Sequence, residues 1–371
     1  GVAPLRGWWG HFLAGLLIQI GTGMIPLLAG LGTRHPRDSQ GVFCSLPGSR
    51  GSLTLWFKGC SHRKRVPGRC RESLSTVCGD YCPARLFLYP MRLPRLRTIL
   101  LAPLLLFIAF YLLGVMVNLL DDRQVEPLSS AGSGSVDEIA VFGASGTAGD
   151  GILKAALADP GVKTIRVITR RATPRIEAGI ASGKVVMTRH MDYLDYSSLQ
   201  DQIRDVKAVY WALGTSSRNV DDETYSVIHV DFPLQFVKDW LQVSRIPNIS
   251  FHYISSSDIS EDSSMHWARE KVRAEKALFA LADGTKLNVF AYRPDYIGPT
   301  EEEAHLGQQL LYWFFAPVRA AVRAQRIGEA MLEVTARGDE FENGHTLGTA
   351  SFLRYSDAYR HRQWAPIVIV D

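Results

Sequence analysis

From residue 137 to about 295 the chain repeats one pattern. A short run of β-branched and aromatic residues leads into a polar or glycine-containing turn, and a stretch with helical spacing follows. The apolar runs cover 137–142, 164–169, 184–188, 208–213, 251–254 and 287–292. Each is short and nearly continuously apolar, as buried strands are. Residues 152–157 and about 199–203 read as helices between them. Strands alternating with helices predict an α/β domain built on a doubly wound parallel sheet, a Rossmann fold, over 137–300. Ligands of such sheets lie beyond the carboxyl ends of the strands, and the distinctive turns of this chain fall there.

The pattern upstream is different. Residues 98–120 are 23 consecutive uncharged positions. As a helix they would reach about 34 Å, enough for a hydrocarbon core of about 30 Å. They predict a single transmembrane helix. Arg92, Arg95 and Arg97 precede it and Asp121 and Asp122 follow, so the positive-inside bias places the main domain on the non-cytosolic, luminal side. The glycosylation triplet Asn248-Ile249-Ser250 has meaning only in that placement. The stretch 12–33 is a weaker apolar segment, interrupted by Gln19 and Pro26. Residues 124–136, rich in Ser and Gly, read as a linker.

Composition separates the same two parts. The 371 residues carry a net charge of +4, yet residues 1–90 hold 11 basic against 3 acidic side chains and the remainder is net −4. The basicity therefore belongs to the first quarter. The run Arg63-Lys64-Arg65 reads as a solvated arm, and no nucleic-acid partner is expected. All five cysteines (Cys44, Cys60, Cys70, Cys78, Cys82) lie there without the paired spacing of a zinc site, so no metal is expected. The chain opens at Gly1 and more ordinary text begins at Met91. Residues 1–90 thus read as a low-order extension, a targeting segment or a misassigned coding start. A hydrophobic content of 46% excludes a largely disordered chain.

The most specific chemistry is Gly143-Ala144-Ser145-Gly146-Thr147-Ala148-Gly149, between the strand at 137–142 and the helix at 152–157. Three glycines at i, i+3 and i+6 in that context permit a tight turn and let backbone amides approach a pyrophosphate at a helix N-terminus. An acid after the next strand would select NAD. Here Arg170 and Arg171 stand instead, suited to a 2′-phosphate, so NADP(H) is the expected cofactor in preference to NAD(H). Further on, Leu213-Gly214-Thr215, Ser255-Ser256-Ser257 and Arg293-Pro294 end successive strands, and Lys271 stands four residues before Glu275.

These residues resemble the short-chain dehydrogenase/reductase superfamily in its extended or atypical branch, and within it the Tat-interacting-protein-like oxidoreductases. The likeness covers about 137–335. It implies that Gly143, Ser145, Gly146, Thr147, Gly149, Arg170, Arg171, Leu213 and Gly214 bind the dinucleotide and that Asp192 touches its adenine. It also implies that Lys271 binds the nicotinamide ribose and that Ser255 or Ser256 orients a substrate carbonyl. The proton-donating tyrosine of that superfamily would stand at Trp267, and an indole N–H cannot cycle as an acid. His266 is the nearest titratable substitute, though it reads equally as a surface residue opening a helix.

Residues 301–337 read as a helical substrate or cap region. The aromatic segment 310–315 lines a lipophilic pocket, touches the bilayer or packs on the sheet, and 318–334 follows as an amphipathic helix. Residues 338–371 read as a loosely ordered tail with a short strand at 367–370. Two functions remain in view. One is a membrane-anchored NADP(H)-dependent oxidoreductase acting on a small lipophilic carbonyl or hydroxyl compound. The other is a catalytically lapsed NADP(H)-binding sensor or scaffold with a protein partner.

Overall fold

The computed structural model describes residues 96–128 and 136–364, with backbone alone at 96–100, 102 and 364. The expectations for residues 1–90, for positions 129–135 of the linker and for a strand at 367–370 lie outside the described residues. From Ala102 onward the chain belongs to one compact unit.

A seven-stranded sheet forms its centre, made of β1 (Glu138–Phe142), β2 (Thr164–Thr169), β3 (Val185–Arg189), β4 (Ala208–Trp211), β5 (Ile249–Ile254), β6 (Leu287–Arg293) and a late strand, β9 (His345–Gly348). The order is β3-β2-β1-β4-β5-β6-β9, and every pairing is parallel. Alternate residues of β1 serve opposite cores. Ile139 and Val141 join one apolar cluster, Ala140 and Phe142 the other, as a period of two requires. Helices α2 (Thr147–Ala158), α9 (Ala324–Ala336) and α10 (Thr349–Trp364) cover the first face with Ile152, Ile327, Met331 and Phe352. Helices α4 (Gln200–Ile203), α6 (Phe232–Val243) and α7 (His266–Ala282) cover the second with Ile203, Phe236, Trp240 and Leu278. The short α3 (Pro174–Ala181) joins β2 to β3, and Thr173 caps it by accepting from Ile176 N–H. Strand order reverses between β1 and β4, which puts the ligand crevice of this architecture beyond their carboxyl ends.

Helices α2 and α9 approach through glycine. A Cβ on Gly328 of α9 would lie 2.7 Å from Ile152 Cα, and one on Gly151 of α2 would collide with Ala324. The backbones themselves are therefore the contact surface.

Three expectations are corrected. Among the described residues no helix is long and apolar enough to cross a membrane, which overturns the anchor at 98–120, the single-pass topology and the luminal placement drawn from it. Helix α1 (Leu96–Leu119) instead makes tertiary contacts with α8 (Leu306–Phe315). The Phe107 and Tyr111 rings stack on Phe314 at 6.3 and 5.2 Å, Tyr111 OH donates to Phe314 O at 2.9 Å, and Asn118 Nδ2 donates to Pro317 O at 3.4 Å. Away from these contacts the apolar side chains of α1, Leu105, Leu106, Leu112 and Leu113 among them, are exposed. Second, 318–334 is not one helix. Arg319 takes a left-handed conformation at φ 53°, and β8 (Ala321–Arg323) pairs with β7 (Tyr296–Gly298) before α9 begins. Third, residues 345–364 are ordered. Strand β9 closes the sheet edge and α10 packs its Phe352 and Tyr359 into the first core. A mean hydropathy pulled down by Arg354, Arg360 and Arg362 had hidden this, since those side chains pair with carboxylates.

The glycine contact between α2 and α9 gives a direct test. Gly328→Ala should lose about 1–3 kcal/mol through overpacking, seen as a Tm several degrees lower. Gly307→Ala in α8, where a Cβ meets nothing within 4 Å, should leave stability unchanged or raise it by up to about 1 kcal/mol. Equal Tm values for the two variants would contradict the packing described.

Candidate functional site

The crevice is built from the carboxyl end of β1. Gly143 turns the chain at φ +74°, and a Cβ there would lie 2.5 Å from Ala212 O, just past β4. A Cβ on Gly149 would run into Gly143 O. These two glycines are required by the protein itself. Gly146 is not: its φ is −100° and an added Cβ would meet nothing nearer than Gly143 O at 3.5 Å. Gly146 is the N-cap of α2 and supplies no side-chain acceptor to the first-turn amides, which in any helix lack an internal partner. Ser145 is half-buried and Thr147 exposed beside them. Asp150, the acid in that first turn, accepts from Arg175 Nε at 2.8 Å and from Thr300 Oγ1 at 3.4 Å. Arg175 thus offsets its charge. An open glycine at a positive helix end is the donor set a pyrophosphate fits.

Arg170 and Arg171 follow β2 with exposed side chains. The Thr169 hydroxyl holds the turn by donating to Arg171 O at 3.1 Å, which leaves both guanidiniums free of any ion-pair partner among the described residues. Asp192 is exposed and accepts from Leu194 N–H at 3.0 Å, so one of its oxygens caps a turn. Leu213 and Gly214 follow β4. A Cβ at 214 would lie 2.7 Å from His229 Cε1, which explains the glycine of Leu213-Gly214-Thr215 by what packs on it.

Lys271 lies on α7 but points inward. Its Nζ donates to Ile254 O at 2.9 Å and stands 4.7 Å over the Tyr253 ring. Burial lowers its pKa to about 7, against the opposing pull of Glu275. An exposed i, i+4 ion pair with Glu275 does not form. Glu275 is itself buried and takes both its oxygens to Arg293, with Arg293 Nε 3.1 Å from Oε1. Two separate sequence features, the lysine–glutamate helix and the Arg-Pro turn, therefore meet in one bidentate pair. Ser255 is buried and its Oγ has no partner, while Ser256 is half-buried. Trp267 is half-buried. His266 Nε2 lies 3.0 Å from Ser226 Oγ and 3.1 Å from Asp222 O, and so ties α7 to the short helix α5 (Asp222–Ser226).

The chain is similar to short-chain dehydrogenases/reductases. A short-chain dehydrogenase/reductase from Saccharomyces cerevisiae matches at 12% identity over 57% of this chain and 96% of its own, with a TM-score of 0.45. A 3-oxoacyl-[acyl-carrier protein] reductase from Brucella melitensis matches at 17% over 60% of this chain and 98% of its own, with a TM-score of 0.45. A UDP-glucuronic acid 4-epimerase from Bacillus cereus, solved in complex with NAD, matches at 14% over 57% and 77%, with a TM-score of 0.44. No protein-family model matches the chain, and no curated protein does.

Two residues at the crevice, Tyr225 and His229, are absent from the sequence analysis. Between α5 and α6 the chain makes a π turn at Val227–Asp231, which widens the helix by one residue and turns His229 inward. His229 is buried. Its Nε2 lies 3.1 Å from Thr215 N and 2.9 Å from Thr215 O, and its Nδ1 has no partner. Accepting from the N–H leaves the proton on Nδ1, and donating to the carbonyl leaves Nδ1 bare. Either way Nδ1 keeps an unused hydrogen-bonding valence. Burial, then the charge on Lys271, push its pKa down to about 3, so the ring is neutral. The Tyr225 ring stacks on it at 4.1 Å, and burial raises that phenol's pKa. Tyr253 OH donates to His229 O at 3.0 Å. Only the i, i+4 spacing of Tyr225 and His229 was visible beforehand, and a π turn is not written in spacing. Among the described residues no group of His, Cys, Asp and Glu could hold a metal.

The lysine makes stability depend on pH with a definite sign. Between about pH 7 and its ordinary value of 10.5, the unfolded chain holds a proton that the folded chain has released. Stability therefore rises with pH across that window. Against Lys271→Met, the natural protein should gain Tm on going from pH 7 to pH 9.5. Parallel melting curves at both pH values would show that Nζ is not desolvated.

Proposed function

We propose that this domain binds a nicotinamide dinucleotide and acts as an oxidoreductase on a carbonyl or hydroxyl compound, in the manner of the short-chain dehydrogenases/reductases. One observation carries the reading. Gly146 opens a helix N-terminus that the protein's own packing leaves clear, at the switch point of a doubly wound sheet. Gly143, Ser145, Gly146, Thr147 and Gly149 would hold the pyrophosphate, Leu213 and Gly214 the adjoining backbone edge, and Asp192 the adenine. Arg170 and Arg171, both without ion-pair partners among the described residues, favour NADP(H) over NAD(H) through a 2′-phosphate. Lys271 would hold the nicotinamide ribose, with Ser255 and Ser256 turned toward a substrate oxygen. The nicotinamide, when bound, supplies or takes up a hydride. The arginine pair, Leu213-Gly214-Thr215, the serine run, Lys271 with Glu275, and Arg293-Pro294 together support the Tat-interacting-protein-like subgroup.

A second reading, cofactor binding without turnover, has its own observation. Trp267 occupies the position that the resemblance gives to the proton donor, and it cannot serve as one. The nearby phenol of Tyr225 is shifted toward weaker acidity. His266 is held by Ser226 and Asp222 O, a tether between helices.

Fluorescence titration of the full chain with NADPH and NADH tests the cofactor. NADPH should bind roughly 10–100-fold more tightly, the scale of hydrogen bonds to a charged group. Gly146→Ala should keep its Tm to within about 1 kcal/mol of stability and lose at least tenfold in NADPH affinity. Undiminished affinity in that variant would remove the dinucleotide from the glycine turn. Trp267→Tyr separates the two readings. NADPH oxidation by the natural protein across a panel of aldehydes and ketones supports the enzyme, whereas oxidation by the variant alone supports the lapsed site.

A further inference from the structure

Far from the glycine turn in sequence, α1, the segment after α8, and α10 meet around a cluster of arginines. Asp121, just past α1, carries a side chain only 5% exposed. Its Oδ2 accepts from Arg319 Nη1 and from Arg354 Nη2, both at 2.9 Å, and its Oδ1 accepts from Arg123 Nε at 2.8 Å. Arg319 is the residue in the left-handed conformation. Beside this carboxylate lies a cavity of about 240 Å³. Arg319, Arg326 and Arg354 line it together with Tyr312, Ala321 and Leu353. Arg326 is already committed to Asp357 and to Ser356 Oγ. Arg354 is not fully used: its Nε is buried without a partner. Three guanidiniums thus border the cavity; Asp121 pairs with two of them, and Arg326 is shared between Asp357 and Glu329.

We propose that this cavity is a binding site for a small organic carboxylate with a short apolar tail, and that Asp121 is its internal competitor. The argument is chemical. Arg319 and Arg354 already grip a carboxylate oxygen between them, so the geometry for that group is built. The cavity has the volume of about eight water molecules, more than a bare carboxylate fills, and apart from Asp357 its remaining wall is Tyr312, Leu353 and three alanines. A bound carboxylate would take the guanidiniums from Asp121 and satisfy Arg354 Nε as well. Displaced, Asp121 would loosen the end of α1, whose other ties to this region include Tyr111 and Asn118 donating to Phe314 O and Pro317 O and the stacking of Phe107 and Tyr111 on Phe314. Ligand binding and the docking of α1 therefore compete at this point, and none of the cavity's lining residues is among those placed at the dinucleotide crevice.

The test is calorimetric titration of the full chain with hexanoate, with hexylammonium as the tail without the anion. The natural protein should bind hexanoate weakly and hexylammonium not at all. Asp121→Ala should bind hexanoate at least tenfold more tightly, and Asp121→Asn, which keeps the shape and removes the charge, should follow it if the alanine variant does not fold. Adding Arg354→Gln to either should return binding to the natural level or below. In the natural protein, hexanoate should speed amide hydrogen exchange in residues 107–120. Hexanoate binding that is unchanged by both Asp121 variants, insensitivity to Arg354→Gln, or equal binding of hexylammonium would each overturn the proposal.

Discussion

The close approach at the end of β1 is the constraint from which the crevice follows. Gly143, Gly149 and Ala212 come so near one another that no side chain fits at either glycine. That approach sets α2 directly against the turn and brings the end of β4 alongside it. The same economy continues outward. With no side chain at Gly151 or Gly328, α9 lies on α2 backbone to backbone, and α9 in turn receives α10. The first layer of helices is thus positioned by missing side chains, from the turn to the edge of the domain.

Buried polar groups fix the other registers. His252 on β5 is fully buried and neutral, its pKa lowered by burial to about 3. Its Nδ1 lies 3.0 Å from Tyr292 OH on β6, and its Nε2 lies 3.0 Å from both Ser250 Oγ and Thr335 Oγ1, the latter on α9. Tyr210 OH on β4 reaches the same threonine at 3.0 Å. Three strands and one helix are joined through two side chains, and a shift of any strand by one residue would strand an imidazole in an apolar core. The Glu275–Arg293 pair does the same between α7 and β6. It is also why Lys271 is left to find Ile254 O: its helical neighbour is already taken.

How much of this was legible depends on the range of the interaction. The first six strands, the glycine turn and the arginines after β2 are local features, and reading them required only neighbours in sequence. What escaped was set by contacts across the chain. The run at 98–120 carries the same residues whether its surroundings are lipid or protein, and Phe314, some two hundred positions away, is what Phe107 and Tyr111 stack on. The strand at 321–323 exists because Arg319 turns the chain left-handed and Tyr296 offers an edge. The polar-looking end of the chain folds because Glu329 and Glu333 on α9 wait for Arg360 and Arg362. The π turn that delivers His229 depends on helix packing, and no residue pattern encodes it.

The electrostatics of the crevice bear on which chemistry it can support. Lys271 has a pKa near 7 because it is buried, and the charge of Glu275 opposes that shift only in part. His229, a few ångströms of ring stacking from Tyr225, is held neutral by the same burial and by the lysine's own charge. An anionic ligand entering beside Nζ would favour the ammonium, raise its pKa and draw a proton onto it. That added charge would hold His229 still more firmly in its neutral form and would favour ionisation of any phenol close by. The crevice therefore couples ligand charge to proton uptake through the lysine alone, with the histidine acting as a fixed dipole. A tyrosine at 267 would inherit that field from one helical turn away; the indole that stands there has no proton to yield to it.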